Sequence, residues 1–282
     1  MPAEIEAELV TSFELVASAS GADGVVTTSA VPVDAAFLDA AGPQLRIVAN
    51  YAVGTDNIDL EAARERGVVV SNTPGVLTNA TAEHAVALML ALLRRVAEGD
   101  RSLRRRDEWK WGPDFMVGEG LEGKRVLVVG AGRIGRRVGE LVEAHGAVAA
   151  FAGRDADLLS LLAEADVVTL HCPLSPETRH LLDADALAAL RPTAVLVNTA
   201  RGPVVDEAAL VDALRAGALA GAALDVFERE PVVSEELLEM ENVVLTPHIA
   251  SATRETRLAM GRLVVSALRS VLIEGRVPAN AV

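Results

Sequence analysis

The constraint that most narrows the fold is the stretch Arg125-Val-Leu-Val-Val-Gly130-Ala-Gly132-Arg-Ile-Gly135. Its valine-rich start reads as a short buried strand, its Gly-x-Gly-x-x-Gly run as a tight turn, and Arg133 to His145, closed by Gly146, as a helix. Each glycine answers a different need. Gly130 makes the turn, Gly132 lets the backbone approach a pyrophosphate, and Gly135 lets the helix lie close on the strand. Three glycines fall at this spacing by chance in many chains, so the setting decides. Here a strand precedes, a capped helix follows, and a second apolar run, Ala147 to Ala152, completes a βαβ unit. Phosphates would sit at the helix N-terminus, where free N–H groups and the positive dipole end favour anions. The stretch predicts a dinucleotide site.

The alternation continues on both sides. Upstream, acidic helix-prone residues Ala3 to Val10 lead to strands at 24–28, 45–49 and 68–71, with helices at Asp34–Ala41 and from Asn57 or Asp59 through Arg66. Downstream, strands are expected at 125–129, 147–152, 167–172, 194–198, 222–226 and 243–246, with helices between them, including Asp183–Leu190 and Asp206–Ala216. A long helical pattern from Asn79 to about Arg105, with Ala85, Leu88, Met89, Leu92, Leu93 and Val96 on one side, looks like a spine between two lobes. A last helix, Ala252 to Ile273, is expected to return to the first lobe. The fold class is α/β: two Rossmann-like, doubly wound parallel-sheet domains joined by long helices. Residues 1–95 with 252–282 would form the first, flavodoxin-like substrate domain, and 96–251 the dinucleotide-binding domain. Both tryptophans fall in Trp109-Lys-Trp-Gly-Pro-Asp-Phe-Met116, which reads either as a loop on its own core or as a dimer arm or an active-site edge.

Composition removes several alternatives. A net charge of −14 over 282 residues argues against nucleic acid, because phosphate contacts need a basic patch and the groups Arg94-Arg95 and Arg104-Arg105-Arg106 do not make one. The single cysteine, Cys172, excludes an intramolecular disulfide, fits a reducing compartment and is expected to lie buried in a strand. No cysteine pair or histidine cluster suggests a metal. The longest apolar run, Ala85 to Leu93, is too short to span a bilayer, and the acidic N-terminus is unlike a signal peptide. A soluble cytoplasmic protein is expected.

A dinucleotide fold that takes NAD places Asp or Glu at the end of the second strand, about 20 residues past the glycines, on the ribose 2′-OH. Here that place reads Phe151-Ala152-Gly153-Arg154. A small residue followed by arginine leaves room for the extra phosphate of NADP and offers a guanidinium to it. NADPH is favoured, and NADH is left open by Asp155 and Asp157 just beyond.

Reactive groups in open α/β sheets collect beyond the C-terminal ends of strands. Arg201, Glu230 and His248 each follow such an end. Together they suffice to reduce a 2-oxo acid. Arg201 can hold the carboxylate and polarise the oxo group. His248 as imidazolium can protonate the carbonyl oxygen while hydride arrives from nicotinamide, and Glu230 can orient the imidazole and raise its pKa.

Five motifs then make the resemblance plain: Asn50-Tyr-Ala-Val-Gly54-Thr-Asp-Asn-Ile-Asp59, Gly130-Ala-Gly-Arg-Ile-Gly135, Asn198-Thr-Ala-Arg-Gly202, Leu224-Asp-Val-Phe-Glu-Arg-Glu-Pro231 and Thr246-Pro-His-Ile-Ala-Ser251. The chain resembles the D-isomer-specific 2-hydroxyacid dehydrogenase family along almost its whole length, and within it the glyoxylate and hydroxypyruvate reductases. That resemblance implies Arg201, Glu230 and His248 as the catalytic set, with the amides of Val53 and Gly54 on the substrate carboxylate. It implies Asp225 on the nicotinamide carboxamide, with Arg133, Ile134, Cys172, Pro173, Thr178, Thr199 and Ala200 also against the cofactor, and His248 at its edge. A homodimer follows from the same resemblance. Family members usually begin with a strand ahead of the segment matching Pro2-Ala-Glu-Ile, so the first domain is expected to be shortened at its N-terminus. The same mechanism could serve 3-phosphoglycerate or another D-2-hydroxy acid, and a non-catalytic NAD(P)-binding sensor or corepressor could share the fold.

Overall fold

The computed structural model describes residues 1–107, 109 and 111–282. In chain order the elements open with α1 (Ala3–Val10), β1 (Gly24–Thr27), α2 (Ala35–Ala41), β2 (Ile47–Asn50), α3 (Leu60–Glu65), β3 (Val69–Ser71), α4 (Thr78–Leu93) and α5 (Val96–Arg105). They continue with β4 (Arg125–Val129), α6 (Arg133–Ala144), β5 (Val148–Ala152), α7 (Leu158–Glu164), β6 (Val167–Leu170), α8 (Ala184–Ala188) and β7 (Val195–Asn198). After a 3-10 turn at Gly202–Val204 come α9 (Glu207–Arg215), β8 (Gly221–Leu224), α10 (Glu235–Glu239), β9 (Val243–Leu245) and α11 (Arg254–Leu272). The chain divides into two compact units, Met1–Leu77 with Ser251–Val282, and Thr78–Ala250.

The first unit is built on a three-stranded parallel sheet in the order β1-β2-β3. Val25, Val48 and Val70 stand in register across it. Strand residues alternate between faces, so Val48 and Val70 join Leu38, Ala62 and Ala63 of α2 and α3 in one core. The opposite face is covered by α11, which contacts all three strands and α1. Gly261 makes that contact close, since a Cβ there would overlap the side chain of Ile5. Asp34 and Asp59 cap α2 and α3, accepting from the amides of Phe37 and Ala62 at 2.8 and 2.9 Å. Asn57 instead donates to the carbonyls of Thr28 and Val31. The segment Pro278–Val282 lies along β3, with Ala281 bridged antiparallel to Ser71 and Val282 N donating to Val70 O at 2.9 Å.

The second unit carries a six-stranded sheet in the order β5-β4-β6-β7-β8-β9, every neighbour parallel. Alternation sorts the strand residues into two cores. Val126, Val128, Val167, Val195 and Val197 face α4 and α6. Leu127, Val129, Val168, Leu170 and Leu196 face Leu162, Leu187, Leu210, Leu214 and Leu237 of α7 to α10. The strand order reverses between β4 and β6, and open α/β sheets bind ligands beyond the C-terminal ends of strands at such a reversal.

Three expectations are corrected. The single helix over 79–105 is two, because Arg95 adopts a left-handed backbone with φ 54° and starts α5 afresh. Its side chain pairs with Glu98 through Nε and Nη2 at 2.7 and 2.6 Å, which fixes the bend. Second, the division between units falls at Leu77/Thr78 rather than after residue 95, since α4 lays its apolar side on α6, β7, β8 and β9. Third, β6 ends at Leu170, so Cys172 is buried just beyond the strand. In the segment 109–116 the rings of Trp109 and Phe115 lie 6.2 Å apart, while Lys110 is outside the described residues. Among the described residues no helix is long and apolar enough to cross a membrane.

Candidate active site

At this reversal, the glycines of the turn show their reasons. Gly130 has φ 102°, and a Cβ on it would stand 2.6 Å from Cys172 N. Close approach of the β4 and β6 loops therefore demands glycine here as much as the turn does. A Cβ on Gly135 would overlap Gly130 O, so α6 packs directly on the loop it leaves. A Cβ on Gly132 would meet nothing within 4 Å, which leaves the backbone open to an approaching group. Gly132 is also the N-cap of α6 and offers no capping side chain. The amides of Arg133, Ile134 and Gly135 find no acceptor among the described residues. A bare helix start facing open space at the sheet's reversal fits a diphosphate.

Around this point stand the other expected contacts. β5 ends at Ala152, in register with Val129, so exposed Gly153 and Arg154 follow the strand immediately. Arg154 makes no salt bridge or hydrogen bond among the described residues. Asp157 is committed elsewhere: it caps α7, accepting from Ser160 N at 3.3 Å and Ser160 Oγ at 2.7 Å. The Thr178 hydroxyl donates to Pro173 O at 2.7 Å and accepts from Ser175 N at 2.8 Å, which ties down the loop after β6. Burial pushes the Cys172 thiol pKa up, so it stays protonated and unreactive. After β7, Thr199 Oγ1 is buried without a partner, and Ala200 N donates to Asn198 Oδ1 at 3.0 Å. A buried hydroxyl of this kind is a site looking for a ligand.

The reactive side chains come from the ends of β7, β8 and β9. His248 Nδ1 lies 2.7 Å from Glu230 Oε2. A carboxylate only accepts, so Nδ1 carries the proton of this bond and Nε2 is left to exchange one with a substrate. Glu230 is itself fixed, since Oε1 accepts from Phe227 N at 3.1 Å. The pair is half-buried and open enough to be reached. Arg201 follows Asn198, which donates from Nδ2 to Arg201 O at 2.9 Å, and Arg201 Nη1 donates to Ala200 O at 2.8 Å. The β7 and β8 loops touch, since a Cβ on Gly202 would overlap the carbonyl group of Phe227.

Asp225 has a larger part in this site than its expected contact with nicotinamide. Its carboxylate is fully buried and accepts from Thr246 Oγ1 at 2.6 Å, Ile249 N at 2.8 Å and Ala250 N at 2.8 Å. His84 of α4 stands beside it, with Nε2 3.1 Å from Thr246 Oγ1 and 3.4 Å from Asp225 Oδ1. Because the Thr246 hydroxyl donates to Asp225, it accepts from His84, and Nε2 of His84 bears the proton. Burial alone would raise the Asp225 pKa; the hydrogen bonds from His84, Thr246, Ile249 and Ala250 outweigh it and hold the carboxyl below its ordinary range. Asp225 thus anchors the turn that carries His248. Sequence reasoning misses His84, which along the chain merely flanks the apolar side of its helix.

Val53 and Gly54 belong to the first unit, in the loop after β2. Neither amide donates to an acceptor among the described residues. The loop is held through its carbonyls, with Asn72 Nδ2 2.8 Å from Val53 O and Asn50 Nδ2 2.7 Å from Gly54 O.

Comparison with known proteins places the sequence and the fold among relatives. A family model described as "D-isomer specific 2-hydroxyacid dehydrogenase, NAD binding domain" matches residues 86–250. The glyoxylate reductase of Thermococcus litoralis is 44% identical over 278 residues, covering 92% of this chain and 83% of that protein. A crystal structure of a Thermus thermophilus protein superposes with a TM-score of 0.91 at 41% identity, covering 100% of this chain and 97% of the other. An NADPH-dependent glyoxylate/hydroxypyruvate reductase of Sinorhizobium meliloti, solved with NADP and malonate, gives a TM-score of 0.88 at 35% identity, covering 100% and 94%.

Proposed function

The chain belongs to the D-isomer-specific 2-hydroxyacid dehydrogenase family, and from that premise we propose that it reduces glyoxylate or hydroxypyruvate to the D-2-hydroxy acid, with NADPH preferred as the donor. The observation that carries the proposal is the 2.7 Å bond between His248 Nδ1 and Glu230 Oε2. It leaves one ring nitrogen free, oriented by a fixed carboxylate, at the end of a strand. When bound, the nicotinamide supplies the hydride. The protein's part is to bind, orient and protonate. Arg201 engages the substrate carboxylate with its planar fork and draws charge toward the oxo group. The free amides of Val53 and Gly54 are further donors suited to a carboxylate. His248 delivers the Nε2 proton to the carbonyl oxygen, and Glu230 stabilises the charged ring before transfer and its orientation after it.

The residues present fit a dinucleotide, given the bare start of α6, the open space at Gly132 and the unpartnered Thr199 hydroxyl. Preference for NADPH is supported by Gly153-Arg154 directly after β5, by an Arg154 guanidinium engaged in no hydrogen bond among the described residues, and by the use of Asp157 as a helix cap. Two copies are inferred to associate, because Leu103, Trp109, Trp111, Phe115 and Val117 are all exposed within one short segment of the second unit. A cytoplasmic setting belongs to the same reading, in keeping with a single cysteine and so no intramolecular disulfide.

Replacing His248 by asparagine tests the mechanism. Turnover is expected to fall about 10²–10⁴-fold, the usual worth of a positioned acid, while NADPH fluorescence still reports cofactor binding at the wild-type concentration. Unchanged turnover would remove His248 from the chemistry and overturn the proposed mechanism.

A further inference from the structure

The loop after β2 is fastened at three consecutive carbonyls. Ala52 O accepts from Thr73 N at 2.9 Å, Val53 O from Asn72 Nδ2 at 2.8 Å, and Gly54 O from Asn50 Nδ2 at 2.7 Å. In a trans peptide the N–H points opposite to the C=O it shares a plane with. Fixing the carbonyls of Ala52 and Val53 therefore turns the amides of Val53 and Gly54 away from the anchors, and neither has an acceptor among the described residues. Two adjacent free amides aimed the same way form an anion cradle.

The anchors have an anchor of their own. Asn280 donates from Nδ2 to Asn72 O at 2.5 Å, and Asn72 N donates to Asn280 O at 3.2 Å. Asn280 is placed by the antiparallel bridge between Ala281 and Ser71 and by the bond from Val282 N to Val70 O. A segment more than 200 residues from the loop in sequence is thus two hydrogen bonds from the Val53 carbonyl.

We propose that Asn72 and Asn280 are positioning residues for substrate: the side chain of Asn280 fixes Asn72, and Asn72 aims the Val53 and Gly54 amides at the substrate carboxylate. This rests on the reading of those amides as the carboxylate cradle. Neither asparagine touches the reacting atoms, so their effect falls on capture of the acid. Deleting the Asn280 side chain leaves its backbone bond to Asn72 in place, so Asn280→Ala loosens the clasp without undoing the fold.

The experiment uses the full chain, 15N-labelled and loaded with NADPH, titrated with oxamate as a non-reacting 2-oxo acid analogue, beside steady-state assays with glyoxylate. In the wild type, the Val53 and Gly54 amide resonances are expected to move on titration. In Asn72→Ala and Asn280→Ala, oxamate half-saturation and the glyoxylate KM are expected to rise about fivefold to tenfold, the change for one lost hydrogen bond, with kcat and NADPH binding held. Asn280→Gln, which keeps the donor, should fall between. Wild-type amides that move while both alanine variants bind as the wild type does would overturn the clasp and leave the cradle standing. Wild-type amides that do not move would overturn the cradle, and the clasp with it.

Discussion

His248 holds a backbone conformation that side chains rarely adopt, with φ 53°, and Asp225 explains how it is kept there. Left-handed backbone costs about 1–2 kcal/mol for an ordinary residue. The His248 amide donates to Asp225 O at 2.8 Å, and the next two amides, Ile249 and Ala250, close on the Asp225 carboxylate. The strain buys orientation of one ring. Asparagine at 225 would keep the size but lose the charge and turn one acceptor into a donor facing a backbone amide. We expect Asp225→Asn to cost about 2–3 kcal/mol near neutral pH, in line with bonds to a buried charged group, and to lower kcat by misplacing His248. The sign with pH follows from the depressed folded pKa. The unfolded carboxyl takes its proton near pH 4, so the contribution of Asp225 is full above that value and is lost as pH falls through the lower folded one. Urea unfolding of both proteins from pH 7 down to pH 3 should show the gap between them narrowing only below about pH 4. A gap that is constant with pH would contradict the account.

Between elements, the joints decide how much of the site could be read in advance. The strands, the three glycines and the end of β5 at Ala152 were legible because period-two alternation and glycine spacing are local signals. The break at Arg95 was not, since arginine is a good helix former and nothing in its local sequence signals the left-handed state that its pairing with Glu98 holds. Nor were His84, Asn72 and Asn280, whose partners lie 162, 19 and 208 residues away. Hydrogen bonds over such separations leave no pattern in a single sequence. Gly202 shows the same limit: the motif Asn198-Thr-Ala-Arg-Gly202 flags it, and its reason is the β8 loop pressed against it. A methyl group there would overlap the Phe227 carbonyl carbon and has no room unless a backbone moves. Gly202→Ala is expected to cost about 3 kcal/mol by overpacking and to part Arg201 from Glu230, with activity falling further than stability alone would require. Thermal unfolding and kcat/KM of the variant check this, and wild-type values in both would show that the loops give way freely.

The molecule as a whole pairs an acidic surface, net −14, with a concentrated apolar patch on the segment after α5. Trp111 is 88% exposed there, more than any other large apolar side chain among the described residues. Such exposure is rare unless another surface covers it. Trp111→Glu is expected to shift the protein from two copies of the 29.5 kDa chain to one in light scattering at micromolar concentration, and a monomeric wild type would refute the inferred association. The family is set by the 44% identity to a glyoxylate reductase and by the fold; the substrate and the donor are what the site must still decide. The most direct measurement follows absorbance at 340 nm of purified protein with NADPH, and separately NADH, against glyoxylate, hydroxypyruvate and pyruvate. The account predicts turnover with glyoxylate or hydroxypyruvate that is faster with NADPH. Tight NADPH binding without turnover of any of the three acids would contradict it.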